Sequence, residues 1–404
     1  MISADARILL QTRGLRAFGD GMVSVVLAVL LTALGMSEVQ IGAIVTATLL
    51  GSAITTLAVG LKGHRIPRRT LLQAATMLMA ATGIGFAVID TFWGLLVVGL
   101  VGTLNPSGGD VSLFLPTEQA LLPGTVPDGH RTALFARYAL VGSLVAAVGA
   151  LCAGLPEWLA RRFDIDDTTA LRIPFVVYAA LAVVIAFRYR RLSPGIEPAT
   201  SGPVALHASR WIVYRLAVLF SIESFGGGFV ITALLVVWLQ NRFGLSLAVS
   251  GAIFFWAGLL SAFSALVAAR IAGRIGLVRT MVYTHLPANA LLIATAFMPT
   301  VWLAVGCLLL RSALSQMDVP ARTSYVMAVV TPAERPAAAS VTNVPRSLAS
   351  AVPPIIAGWM LAHTTFGWPL VIGGTIKATY DLLLLAQFRE LRPPDEVVST
   401  APVS

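Results

Sequence analysis

The sequence predicts an all-α membrane protein: twelve transmembrane helices arranged as two parallel six-helix repeats. Three observations predict it. Of the 404 residues 57% are apolar and only 12% charged, against about 25% charged in soluble domains, and the mean hydropathy is +0.84. Long uncharged stretches recur along the chain. The second half repeats the first in the same order. An ordinary soluble enzyme, a disordered chain and a fibrous protein are excluded at once. Cys152 and Cys307 both sit in apolar runs, which excludes a disulfide scaffold and leaves no cysteine cluster for a metal. The formal charge of +9 would suit a nucleic-acid binder, but the arginines stand at the ends of apolar segments and form no stripe.

A bilayer-spanning helix needs about 20 mostly apolar residues. Gly21 to Ser37, Val39 to Leu61, Leu71 to Ile89, Tyr138 to Pro156 and Phe243 to Ala269 carry no charge at all. Met281 to Leu310 holds two spans with a turn at Pro299, and Ser347 to Ile376 folds back near His363 to Trp368. The spans fall at roughly 15–35, 38–61, 70–90, 91–119, 132–155, 173–189, 211–240, 247–270, 280–298, 301–327, 337–361 and 369–388. Strands do not compete, because open sheet edges are not tolerated in lipid and the runs lack barrel alternation.

Arginine placement sets the orientation. With odd-to-even counting, the connections on the amino-terminal side carry Lys62, Arg65, Arg68 and Arg69, then Arg131, then Arg188, Arg190, Arg191 and Arg210, then Arg270, Arg274 and Arg279, then Arg335. The opposite side has Arg242 and one exception, Arg161 and Arg162. The positive-inside rule puts both termini in the cytoplasm of a multi-pass cytoplasmic (inner) membrane protein. Trp93, Trp158, Trp211, Trp238, Trp302 and Trp368 lie at or beside span ends, as interfacial anchors do. The first span, followed by eleven more and lacking a small-residue cleavage site, reads as retained.

The repeat has an offset of about 207 to 210 residues. Ala17-Phe18-Gly19-Asp20-Gly21 answers Ser224-Phe225-Gly226-Gly227-Gly228, and Gly42-Ala43-Ile44 answers Gly251-Ala252-Ile253. Arg69-Thr70 answers Arg279-Thr280, and Thr91-Phe92-Trp93 answers Thr300-Val301-Trp302. Six spans separate equivalent points, so both halves face the same way. The expected division is 1–191, a Pro/Ser/Gly-containing linker over 192–209 that is the only linker-like stretch, 210–392, and a tail over 393–404.

Two parallel six-helix halves around a midplane cavity are the architecture of major facilitator transporters, and the chain resembles that superfamily over nearly its whole length. The sharpest local match is Gly60-Leu-Lys-Gly-His64-Arg65-Ile-Pro67-Arg68-Arg69, which resembles the family's G-x-x-x-D-R-x-G-R-R loop. Gly60, Arg65, Arg68 and Arg69 match; His64 replaces the acid and Pro67 a glycine. Gly273 and Arg274 keep the glycine and arginine in the second half. The resemblance implies a switching role for this loop. The family's antiporter motif in span 5, G-P-x-x-G-G, is echoed by Gly149 and Gly154 without the proline, while Pro353, Pro354 and Gly358 in span 11 do carry it. These five are expected to act as hinge positions.

Charges inside spans are functional candidates by default. Asp20, between two glycines, either pairs with Arg13 or Arg16 or faces the cavity. Glu223 stands almost equivalently in span 7, before three glycines. Span 4 is interrupted at Asn105 to Asp110, and Glu118 follows; span 10 answers with Arg311, Asp318 and Arg322. Matching interruptions in both halves point to a transport site. Two readings stand for Glu118 and Arg322: solute contact, or closure of the inward gate. Arg137 and Arg346 open spans 5 and 11 and read as gate residues that pair with acids of span 4 or 10, with ligand binding the alternative. Lys377 and Asp381, four apart, predict an intrahelical pair. Trp256 reads as lipid-facing, with solute stacking the alternative.

The expected function is secondary active transport of a small organic solute by two halves rocking about a central cavity. Proton coupling would run through Asp110, Asp318 and Glu223. Export is implied by the family resemblance. The alternative is uptake or exchange of an anionic solute clamped by Arg311 and Arg322. A non-transporting sensor or scaffold of the same fold would have lost the cavity charges, which are present. No cofactor, metal or nucleic-acid partner is expected, and no phosphate-binding loop or nucleophile motif points to an enzyme. The partners are the solute, protons and the lipid bilayer, with the chain acting as a monomer.

Overall fold

The computed structural model describes residues 3–62, 66–107, 113–127, 130–196, 206–207, 209–331 and 334–388. Among the described residues all regular structure is helical. The first three predicted spans are unbroken helices: α1 (Ala4–Ala33), α2 (Glu38–Lys62) and α3 (Arg68–Val88). The fourth breaks into α4 (Phe92–Val101) and α5 (Phe114–Leu121). The fifth continues through a 3-10 turn at Cys152–Gly154, joining α6 (Arg131–Leu151) to α7 (Leu155–Phe163), and α8 (Asp167–Tyr189) is the sixth. The seventh divides at the glycine run into α9 (Arg210–Gly228) and α10 (Thr232–Phe243). There follow α11 (Leu247–Ile275), α12 (Leu277–Phe297), the pair α13 (Val301–Ser315) and α14 (Asp318–Val329), the pair α15 (Arg335–Ala351) and α16 (Pro353–His363), and α17 (Trp368–Phe388).

Eight helical segments among the described residues are long and apolar enough to cross a membrane: Ala4–Ala33, Glu38–Gly60, Arg68–Val88, Ala133–Phe163, Asp167–Tyr189, Arg210–Phe243, Leu247–Ile275 and Trp368–Phe388. The protein is a multi-pass, all-α membrane protein. The other four predicted stretches are those interrupted in spans 4, 10 and 11, and α12, which polar His285 and Asn289 dilute. One boundary is corrected. The first span was placed at residue 15, after Arg13, yet α1 starts at Ala4, with the Ser3 hydroxyl accepting from the Ala6 amide at 3.1 Å. Arg16 is buried inside the helix packing.

The described residues form two compact units. The first draws on Met1–Ser201, Val230–Leu259 and Pro354–Thr365. Here α1 lies along α6 and α8, α3 along α8, and α2 along α4. Glycines set the approach of α1 to α6: a methyl group at Gly21 would stand 2.0 Å from the Ala146 carbonyl oxygen, and one at Gly149 would stand 2.1 Å from that of Phe18. Two expected hinge positions, Gly149 and Gly154, are thus tight packing points. Glu157 accepts from the Leu247 and Ala248 amides at 2.6 and 3.3 Å, a carboxylate at a helix N-terminus. Since α10 packs on α1 and α2, Trp238 is buried and is no interfacial anchor. Trp302, Trp93 and Trp211 are 83%, 73% and 69% exposed, as lipid-facing rings are.

The last described residues of the break in span 4, Pro106 and Ser107, find partners within the same unit. Unwound backbone at membrane depth needs partners, and these two residues have them: the Pro106 carbonyl accepts from the Ala233 amide at 3.3 Å, and that of Ser107 from the Thr232 hydroxyl at 3.0 Å. The Asn105 side chain accepts from the Ser107 amide at 3.0 Å. Asp110 lies outside the described residues.

The second unit draws on Gly202–Phe229, Leu260–Pro353 and Phe366–Ser404. In it α9 lies along α15 and α17, and α12 along α17 and α13. The core holds Leu216, Phe220, Met281, Tyr325, Tyr380 and Leu384. Gly228 repeats the role of Gly21, since a methyl group there would stand 2.5 Å from the Ser350 carbonyl oxygen. Helix α15 ends at Ala351 and α16 starts at Pro353, a break placed where proline cannot continue the ladder.

Candidate functional site

Within the second unit, four helices deliver charge to one place. Glu223 projects from α9 and is buried. Its Oε2 lies 3.2 Å from Arg322 Nη1 of α14 and 3.4 Å from Arg346 Nη2 of α15, and its Oε1 lies 3.0 Å from Lys377 Nζ of α17. Asp318, one turn before Arg322, pairs with it at 3.3 Å. The Arg346 Nε donates to the Ser224 hydroxyl at 2.7 Å. Arg311 of α13 is half-buried, and its Nε has no hydrogen-bond partner among the described residues. Buried charges are tolerated only when paired and hydrogen-bonded. Here three cations meet two carboxylates.

That surplus opens onto a cavity of about 80 Å³ lined by Phe220, Arg322, Thr323, Thr342, Asn343 and Arg346. The Arg322 guanidinium also lies 5.5 Å from the Phe220 ring centre. Two planar, permanently charged forks beside hydroxyl and amide groups are chemistry suited to an acidic or polar solute. Glu223, Arg322, Asp318 and Arg311 were named from sequence. Arg346 was read as a gate residue, and its contact with Glu223 puts it in the cavity wall as well. Lys377 was expected to pair with Asp381; it pairs with Glu223 instead, because four-residue spacing fixes a shared face but not the partner.

The first unit holds a closed counterpart. Arg16 of α1 and Glu118 of α5 pair at 2.7 Å with side chains 1% and 0% exposed. The Glu118 carboxylate also accepts from the hydroxyls of Thr12 at 2.9 Å, Tyr189 at 2.6 Å and Tyr138. The guanidinium stacks 4.5 Å from the Phe114 ring centre. Asp20 is buried and accepts from the Tyr178 hydroxyl at 3.3 Å. Among the described residues Arg137 is exposed, and its neighbour Tyr138 reaches Glu118 in its place. The tyrosines escaped sequence reading, because an aromatic in an apolar run gives no sign of where its hydroxyl goes.

The remaining candidates lie apart from both clusters. His64 and Arg65 of the signature loop are outside the described residues. Gly60, Gly273 and Arg274 are exposed, and Arg69 donates to the Arg190 carbonyl. Gly358 meets α2 closely: a methyl group there would stand 2.3 Å from the Glu38 carbonyl oxygen. Trp256 is exposed.

A multi-pass helical chain with two arginines in a cavity wall suits a membrane transport protein. Residues 12–315 and 216–403 match the Major Facilitator Superfamily, and the chain belongs to it. Covering 96% of this chain and 94% of its own length, an uncharacterized membrane protein of Saccharomyces cerevisiae is 26% identical. The multidrug efflux protein YfmO of Bacillus subtilis is 24% identical over 91% of this chain and 89% of its own. Among solved structures, a bacterial homologue of the human lysosomal transporter Spinster, in its inward-facing and occupied conformation, superposes with a TM-score of 0.73 at 14% identity, covering 96% of this chain and 97% of that one. The nucleoside transporter NupG gives 0.72 at 14% identity, over 96% and 99%. These two likenesses carry the fold alone. The family and these two structures are transporters, not enzymes.

Proposed function

We propose that this chain is a secondary transporter that exports a small organic solute by alternating access, coupled to protons, with the Arg322–Arg346 cavity as its solute site. The observation that carries the reading is the Glu223 cluster: four helices bring together more cations than carboxylates, and two of those cations line a cavity, an arrangement costly for folding alone. Export is supported by the similarity to an efflux protein.

The architecture we propose is twelve spans in two parallel repeats, 1–191 and 210–392, with a cytoplasmic linker over 192–209, a cytoplasmic tail over 393–404 and both termini inside. Equivalent packing points support it. Gly21 against Ala146 corresponds to Gly228 against Ser350, and Gly19 against Tyr178 corresponds to Gly226 against Lys377. The Gly60–Arg69 loop and Arg274 are proposed as switching elements. We place the chain in the cytoplasmic membrane as a monomer.

A second reading is uptake or exchange of an anionic solute. Arg322, Arg346 and Lys377 outnumber Glu223 and Asp318, so one bound anion would bring the site closer to neutrality.

Everted vesicles with and without the chain test both. A pH gradient read by acridine orange is challenged with ethidium, chloramphenicol and benzoate as cationic, neutral and anionic probes. Chain-dependent collapse of the gradient by one probe, abolished in Arg322→Gln, is expected. Loss of response to all three in an otherwise tight vesicle would count against proton-coupled export, and response to benzoate alone selects the anionic reading.

A further inference from the structure

Beside the cavity, α12 and α17 bury a second cluster that the transport reading does not use. His285, Asn289 and Asp381 are 2%, 1% and 0% exposed. The His285 Nδ1 lies 2.9 and 3.2 Å from the two Asp381 oxygens, and the Asn289 amide donates to Asp381 Oδ2 at 2.8 Å. The Tyr380 ring stands edge-on to His285 at 6.3 Å between centres. Two polar atoms at the cluster, Asn289 Oδ1 and the Tyr380 hydroxyl, are buried without a hydrogen-bond partner among the described residues.

The charge balance of this cluster depends on a single proton. With a neutral imidazole, Asp381 is a buried carboxylate whose one ion-pair partner among the described residues is His285. The cations of the neighbouring solute cavity are paired with other acids. Lys377, one turn earlier on α17, binds Glu223 of α9; Arg322 of α14 binds Glu223 and Asp318; and Arg346 of α15 binds Glu223. A proton on the imidazole makes the pair neutral, with Nδ1–H donating to the carboxylate. An unpaired buried charge is the costlier state.

We propose that His285, Asp381 and Asn289 form a one-proton store linked to the solute cavity through Lys377. When the proton leaves the imidazole, the bare Asp381 carboxylate attracts Lys377 across one helical turn. Lys377 then releases Glu223 to Arg322 and Arg346, which changes how strongly those guanidiniums hold a solute. Two discrete partners for one lysine supply the bistable element that coupling requires. The coupling half of this proposal rests on the transport reading; the protonation half does not.

The test uses the full chain, labelled with nitrogen-15 histidine, in lipid nanodiscs at pH 7. The His285 signals are those missing from His285→Gln. An imidazolium pattern in the wild type, replaced by a neutral imidazole in Asp381→Asn, is expected. A neutral imidazole in the wild type overturns the store, as does an imidazolium that survives in Asp381→Asn. The wild-type spectrum decides alone should that variant fail to fold. In vesicles, whichever of ethidium, chloramphenicol and benzoate moves in the wild type should still cross in His285→Gln down its own gradient, but without responding to an imposed pH gradient. A retained response overturns the coupling. Should no probe move at all, the transport reading fails while the nitrogen spectra still read the store.

Discussion

Each compact unit buries an ion pair between its first helix and the short helix that follows a break, with the signs exchanged. In the first unit the cation is on the long helix, Arg16 to Glu118; in the second it is on the short one, Glu223 to Arg322. The surroundings differ more than the pairs. Glu118 takes hydroxyl hydrogens from Thr12, Tyr138 and Tyr189 and is sealed. Glu223 is shared among Arg322, Arg346 and Lys377, and two of those border a cavity. A carboxylate saturated by neutral donors has nothing left to offer a solute. One surrounded by competing cations leaves donors that a solute can recruit. One unit therefore holds a closed ion pair, and the other a shared carboxylate whose partners border a cavity.

The largest expected effect comes from breaking the closed pair. Glu118→Ala leaves Arg16 charged and buried, and should cost roughly 3–5 kcal/mol, read as loss of folded protein in a detergent unfolding series. Replacing both partners, Arg16→Met with Glu118→Leu, should recover most of that loss and keep probe flux. A double variant that folds normally yet moves nothing would make the first unit the working site and reverse the assignment.

Steric substitutions probe whether the two units share a scaffold. Gly21→Ala and Gly228→Ala each push a methyl group into a carbonyl oxygen, at 2.0 and 2.5 Å. Each should destabilise by about 1–3 kcal/mol, Gly21→Ala more. A neutral result at either position, by thermal melting, would mean that the helix approach is not equivalent.

Such contacts show where sequence reading succeeds. Gly19, Gly21, Gly226 and Gly228 lie in the repeat that the sequence displays openly, and the packing they permit follows from a missing side chain. Glu223, Asp318 and Arg322 were found because a charge within an apolar run is conspicuous. Partner choice was not accessible in this way. Lys377 reaches Glu223 across 154 positions of chain order in place of Asp381 four residues away, a choice made by the packing of α17 on α9. Trp238 failed for a related reason: its position at a span end is plain, but the neighbours that bury it come from distant helices. Arg346 combines the two cases, visible as a charge and hidden as a wall of the cavity.

At Arg346 the working site can be tested without dismantling it. Its side chain is 31% exposed, and Glu223 keeps Arg322 and Lys377 when it is removed. Arg346→Gln should therefore change stability by less than about 1 kcal/mol. It should weaken binding of whichever probe moves by about 10- to 100-fold, or about 1.4–2.8 kcal/mol, measured by calorimetry. Equal binding in variant and wild type would leave Arg346 as a gate residue only.

The smallest effect separates the starts of the two units' long helices. Helix α1 is capped by the Ser3 hydroxyl, which does not titrate in the acid range. The chain leading into α9 is pinned by a carboxylate: Glu334 accepts from the His207 amide at 2.5 Å and from the Ser209 amide and Thr331 hydroxyl at 3.1 Å. The backbone hydrogen bond from His207, followed by those from Ser209 and Thr331, draws the Glu334 pKa from its ordinary 4.5 down to about 2, against a smaller opposing push from burial. A group with a lowered pKa in the folded state stabilises fully above its unfolded value and loses that contribution as the pH falls through its folded one. The pin should hold above about pH 4.5 and fail progressively toward pH 2. Amide exchange, corrected for its intrinsic pH dependence, should then rise at His207 and Ser209 but not at Ala6, and Glu334→Gln should remove the pH dependence at both. A parallel rise at Ala6 would show that acid loosens both units alike, with Glu334 no more than a bystander.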